Sequence, residues 1–220
     1  MHKLIVDFKV TYYNFLTKYE LEGVCFGLSL TWLGDMLKNR HRASSVPAVY
    51  QRYPKEMIFP AAKDVKLLTD TFHRARLKQI HMQERTESFN QTSASEVDYP
   101  LFTAKYKDRK QRALEAKYKV PGLRYTHSKI RGYKDIKALD WNSSSLPLKQ
   151  GVIIFFIFGP NVRYSHAVAA IRFNQNETYF LEPNQGLFHI TGDNPAEVID
   201  KIIFKKYGYF RINEQIVITA

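Results

Sequence analysis

From Val152 to Phe158 the chain reads Val-Ile-Ile-Phe-Phe-Ile-Phe, an apolar run with no polar interruption. A β-branched and aromatic run of this length makes a strand, and its lack of alternation makes it a fully buried one. The run is far too short to span a bilayer. Its neighbours fit the same picture. Gly159-Pro160-Asn161 turns the chain, and Tyr164 to Phe173 reads as a second strand. Asn174-Gln175-Asn176 reads as a hairpin loop and Thr178 to Leu181 as the returning strand. Leu187 to Ile190 is a further short strand, Pro195 to Tyr207 an amphipathic helix, and Tyr209 to Thr219 a closing strand.

The front of the chain reads differently. Leu4, Val6, Phe8, Val10 and Tyr12 alternate with mostly polar residues and predict a strand, followed by a loop from Asn14 to Gly23. From Cys25 to about Arg40 the spacing of Leu28, Thr31, Trp32 and Met36 predicts a buried helix. Ala43 to Pro60, with three prolines, reads as irregular. A helix is expected from Ala61 to about Gln83, and a polar loop over Glu87 to Asp98. Leu101 to Lys119 reads as a basic helix, and a short helix fits Tyr133 to Leu139. Helices first and an antiparallel sheet afterwards give an α+β fold class. The 220 residues are 45% hydrophobic, enough to build a sizeable core.

Charge is unevenly distributed. Between Lys105 and Lys134 there are eleven Lys/Arg against Asp108 and Glu115, a net +9 out of a total of +12. Such a segment suits an anionic membrane surface or an acidic protein. No recognised nucleic-acid-binding motif accompanies it, which argues against nucleic acid. The bland reading is a solvated basic face. The N-terminus lacks the long apolar core of a secretory signal.

The chain has one cysteine, so an intramolecular disulfide framework is excluded. Cys25 follows Gly23-Val24 and opens the predicted helix, where free backbone N–H groups and the helix dipole favour a thiolate. Glu20 and Glu22 lie close in sequence and would oppose it. Taken alone, a cysteine among leucines is a small buried hydrophobe. Its partners would have to come from the hairpin. With a three-residue loop, Phe173 faces Glu177, Val168 faces Glu182, and His166 faces Asn184. His166, Glu182 and Asn184 then share one face at cross-strand reach. A two-residue loop would slip the register and put His166 and Glu182 on opposite faces. An imidazole beside a thiol takes its proton, and a carboxylate or amide behind the imidazole aims it.

Three blocks carry a resemblance: Gly23-Val24-Cys25 with Leu28-Ser29 and Trp32; Ser165-His166-Ala167-Val168-Ala169; and Phe180-Leu181-Glu182-Pro183-Asn184-Gln185-Gly186. In these the chain resembles the YopT-like cysteine proteases, papain-fold effectors that bacterial pathogens inject into host cells. The resemblance implies a single papain-like catalytic domain over 1–220, its helical part presenting the cysteine against a C-terminal antiparallel sheet. The stretch 35–150 would be a divergent, partly helical and basic insertion. It implies Cys25 as nucleophile, His166 as general base, and Glu182 as orienting acid where the family has aspartate. Glutamate is one methylene longer, so Asn184 is a second candidate for aiming His166, as an asparagine does in papain. Papain-like enzymes place a Gln or Asn shortly before the cysteine as an oxyanion donor. Phe15 to Val24 holds neither, which leaves Asn14 nearest. The resemblance further implies a host protein substrate and delivery to the host cytoplasm without a cleavable signal peptide.

Two other functions stay open at this point. A glutamine deamidase or transglutaminase would use the same thioester chemistry on a side-chain amide. A non-catalytic basic module would bind anionic lipid or nucleic acid through Lys105–Lys134. No cofactor or metal is expected, since the sequence has no HExxH, no glycine-rich phosphate loop and no cluster of cysteine and histidine.

Overall fold

A computed structural model describes residues 1–43, 65–94, 124–129, 150–159 and 164–219. Its elements in chain order are β1 (His2–Asp7), α1 (Lys9–Lys18), α2 (Cys25–Ala43), α3 (Val65–Ala94), β2 (Arg124–Lys129), β3 (Gln150–Phe158), β4 (Tyr164–Asn174), β5 (Glu177–Glu182), β6 (Gly186–Thr191), α4 (Pro195–Tyr207) and β7 (Phe210–Thr219). The strands form one sheet in the order β1-β6-β5-β4-β3-β7-β2, and its pairings are antiparallel.

The sheet is covered on both sides, which explains the unbroken apolar runs. Ile153, Ala167, Ala169, Ile171, Leu181 and Ile216 join one core with α1, α2 and α3. Val152, Ile154, Val168, Ala170, Phe180 and Ile212 join a second core under α4. The small side chains of Ala167 and Ala169 let α2 lie close on β4, and the Ser29 hydroxyl donates to the Ala167 carbonyl at 3.4 Å.

The β4–β5 hairpin keeps the expected register by an unexpected route. Asn174 pairs with Glu177 across a two-residue turn, yet Arg172 pairs with Thr178 and Ala169 with Leu181. The extra residue is Phe173, and this bulge cancels the slip that the shorter turn would cause. Phe173 packs on the first core, and the Arg172 guanidinium donates to the Gln175 carbonyl at 2.9 Å, fastening the turn. His166 and Glu182 thereby end on the same face.

Two sequence expectations fail. The strand from Leu4 ends at Asp7, and Lys9–Lys18 is a helix where a strand end and a loop were expected. Phe8, Tyr12 and Phe15 are buried at helical spacing against Phe72, while Val10 and Tyr13 face solvent. Tertiary packing of these rings overrides an alternation that the sequence carries equally well. Likewise, α3 runs to Ala94, through much of the expected polar loop at Glu87–Asp98. The stretch 124–129, given no definite element above, is a strand on β7. The expected irregular stretch from Ala43 to Pro60, apart from Ala43 itself at the end of α2, the helices at 101–119 and 133–139 and most of the basic segment lie outside the described residues.

Helix α1 ends in a Schellman motif. The N–H of Glu20 bonds the Thr17 carbonyl at 3.2 Å and that of Leu21 the Leu16 carbonyl at 2.9 Å. Glu20 takes φ 51° to do so, in the region that favours glycine. At Gly27 the backbones of α2 and α3 touch: an added Cβ would overlap the Ala75 carbonyl oxygen.

Two substitutions test this account by thermal and denaturant unfolding. Gly27→Ala is expected to cost about 2–4 kcal/mol, because α2 and α3 must separate. Glu20→Gly is expected to stabilise by about 0.5–1 kcal/mol by relieving the left-handed turn. A neutral Gly27→Ala would refute the close packing.

Candidate active site

Cys25 is the first residue of α2, since the Leu28 N–H bonds the Val24 carbonyl at 2.8 Å. Val24 has no side chain that can cap the helix. Other elements supply what it lacks. The Tyr12 hydroxyl of α1 accepts the Val24 N–H at 3.1 Å, and the Gln79 side-chain oxygen of α3 accepts the Gly27 N–H at 3.0 Å. The Phe26 N–H turns to the Cys25 sulfur, as does backbone of Ala167 on β4. The thiol of this half-buried residue is thus held by contacts from the helix it opens and from the sheet.

His166 stands near the start of β4 and is buried. Its Nε2 lies 2.6 Å from Glu182 Oε1, at the end of β5. The imidazole also shares a hydrogen bond with the Cys25 side chain. The imidazole is enclosed by Phe156 and Tyr207, ring centroids 5.4 and 5.3 Å away.

Glu182 is 0% exposed, a carboxylate that must be matched by hydrogen bonds or charge to be tolerated. Besides His166 it receives the Tyr207 hydroxyl on Oε1 at 2.7 Å and the Lys206 ammonium near Oε2 at 3.4 Å. Burial works against its ionised form, but His166, Lys206 and Tyr207 outweigh it and hold the carboxyl below its usual range.

The same contest runs through the other two groups. Burial would raise the Cys25 thiol, yet the charge and hydrogen bond of His166 and the backbone N–H groups bring it down. Burial would lower His166, yet the Cys25 thiolate and then Glu182 raise it to about 9. The imidazolium is therefore kept up to that pH and lost above it, while the thiolate persists downward well below an ordinary thiol.

The structure brings Cys25, His166 and Glu182 together. The Asn184 side chain instead donates to the Tyr207 hydroxyl at 2.9 Å. Asn14 lies exposed on α1, and Glu20 and Glu22 are likewise exposed. Sequence reasoning missed Tyr12, Gln79, Lys206 and Tyr207 at this site. Tyr207 and Lys206 close a helix with a clear stop at Gly208, but nothing in a one-dimensional pattern aims that stop at Glu182. Among the described residues no cluster of His, Cys, Asp and Glu could hold a metal.

No family model matches this sequence, and no curated protein matches it either. A solved structure does: the crystal structure of the Pseudomonas avirulence protein AvrPphB, at TM-score 0.54 and 14% identity, over 98% of this chain and 97% of that one. The chain is similar in fold to AvrPphB. The likeness to AvrPphB extends over nearly all of both chains and is a likeness of fold.

Alkylation by iodoacetamide measures the primed thiol directly. Cys25 is expected to label on a plateau that starts well below the ordinary thiol range and changes near pH 9, where His166 loses its proton. In His166→Ala the plateau should vanish and labelling should follow a single, higher thiol titration. A wild-type profile with one step near an ordinary thiol pKa would refute the pair.

Proposed function

We propose that this protein is a cysteine protease that cleaves a peptide bond in a host protein, working as a bacterial effector. The observation that carries this reading is the 2.6 Å contact of buried His166 with buried Glu182, on an imidazole that also bonds the Cys25 thiol. The likeness of fold to the Pseudomonas avirulence protein AvrPphB, together with the three motifs of the YopT-like resemblance, supports it at the level of the class.

In this reading the Cys25 thiolate attacks the carbonyl carbon, and negative charge moves to the carbonyl oxygen. The Cys25 backbone N–H at the head of α2 donates to that oxygen, at the positive end of the helix dipole. The imidazolium of His166 then protonates the departing amine, leaving a thioester on Cys25. Neutral His166 next takes a proton from water, which attacks the thioester and releases the acid. Glu182 keeps the imidazole aimed through both steps and stabilises its charged form.

Deamidation and transglutamination begin from the same thioester. Mass spectrometry of intact candidate targets separates them, since cleavage divides the protein and deamidation adds about one dalton. Cleavage is the expected result. Cys25→Ala should remove at least about 10⁴-fold of the activity, and Glu182→Ala on the order of a hundredfold. Cleavage that survives Cys25→Ala would overturn the proposal.

A further inference from the structure

The last turn of α4 meets the site at Glu182, and neither of its two contacting residues belongs to the motifs that carry the family resemblance. Helix α4 is fixed at both ends. Asn194 caps it, with its side-chain oxygen accepting the Glu197 N–H at 3.4 Å, and Pro195 opens it. Gly208, at φ 68°, ends it and bonds back to Phe204 at 2.9 Å. Ile199, Ile202 and Ile203 seat it on the sheet. Lys206 and Tyr207 are therefore presented from a rigid element rather than from a loop.

Their contacts converge. The Tyr207 hydroxyl donates to Glu182 Oε1 at 2.7 Å, the same oxygen that faces His166 Nε2. That hydroxyl accepts from the Asn184 amide at 2.9 Å, so its proton is directed to the carboxylate. Lys206 lies 3.4 Å from the other oxygen, Oε2, and donates to the Asn184 carbonyl at 2.9 Å. The Tyr207 ring also packs beside the imidazole. A glutamate has one more rotatable bond than an aspartate, so its carboxylate needs more restraint to hold one position.

We infer that Tyr207 and Lys206 are positioning residues of the catalytic group, together fixing both oxygens of Glu182 so that a glutamate can aim His166. This rests on the Cys25–His166–Glu182 reading above. Other groups that face the pair are Cys25 from α2 and Tyr12 from α1, with Lys9 of α1 near Lys206. All are retained in the variants below.

The test is the pH profile of iodoacetamide labelling of Cys25 in the full chain, with unfolding measured alongside. If unaltered protein shows no low-pH plateau and His166→Ala changes nothing, the catalytic reading itself falls, and this inference with it. Given the plateau, Tyr207→Phe keeps the ring and removes only the hydroxyl. Its upper limit is expected to fall by about one pH unit, as a loosened Glu182 supports the imidazolium less. An upper limit that stays or rises overturns the inference. A rise is what a hydroxyl merely competing with His166 for Oε1 would give. Lys206→Met is expected to raise the lower limit, since Glu182 would protonate at higher pH, and Lys206→Arg to restore it. Lower thermal stability with unmoved limits would mark both residues as structural only and overturn the proposal.

Discussion

A carboxylate with no exposed surface is the constraint around which this molecule is built. Glu182 cannot stay ionised in the interior without partners, and a neutral Glu182 would do little for His166. The fold brings it an imidazole from β4 and a hydroxyl and an ammonium from α4. These come from chain segments on both sides of it in sequence, so the site can form only after β4, β5 and α4 have docked. The carboxylate in turn supports the imidazolium, and the imidazolium supports the thiolate. The three ionisations form one coupled set, and burial opposes each of them separately.

The sheet supplies the frame that makes such coupling affordable. Strand β4 is sandwiched between cores, with Ala167, Ala169 and Ile171 toward α2 and Val168 and Ala170 toward α4. By alternation His166 belongs to the α4 side, where Phe156 and Tyr207 enclose it. Cys25 reaches it from the other layer because α2 begins at the end of the strand, tied by Ser29 to Ala167. A strand end is where a side chain can serve both layers. The two-sided burial that made β3 and β4 read as apolar runs also limits where the polar site can lie.

How much of this the sequence disclosed follows from where the information is local. Strand β3 and helix α4 announce themselves by composition and by start and stop residues, and α2 by the spacing of its apolar residues, so these were legible. The common face of His166 and Glu182 was legible only through an assumed three-residue loop. The chain reaches that register with a two-residue turn and a bulge at Phe173, a combination that local propensity does not specify. Lys9–Lys18 was misread because Val10 and Tyr12 continue the alternation of β1, and only the ring of Phe72, from α3, decides which period wins. Asn184 stood as a second candidate behind Glu182 because both lie on the hairpin face. The choice between them is made by Tyr207, from an element after both in the chain.

The same logic applies at the thiol. A helix that opens on Val24-Cys25 has no capping side chain of its own, which is a defect by the usual rules of helix starts. Ser, Thr, Asp or Asn at position 24 would cap α2 locally, but its side-chain oxygen would compete for the same N–H groups that act on the sulfur. Capping is delegated instead to Gln79, which takes the Gly27 N–H from α3, and to Tyr12, which holds the Val24 N–H from α1. Gly27 is what permits this, because α3 can approach only where α2 lacks a Cβ. Distant helices thus satisfy the backbone around Cys25 without occupying its own N–H. The stretch of α3 that provides the cap lies in the part of the chain where sequence resemblance had nothing to offer.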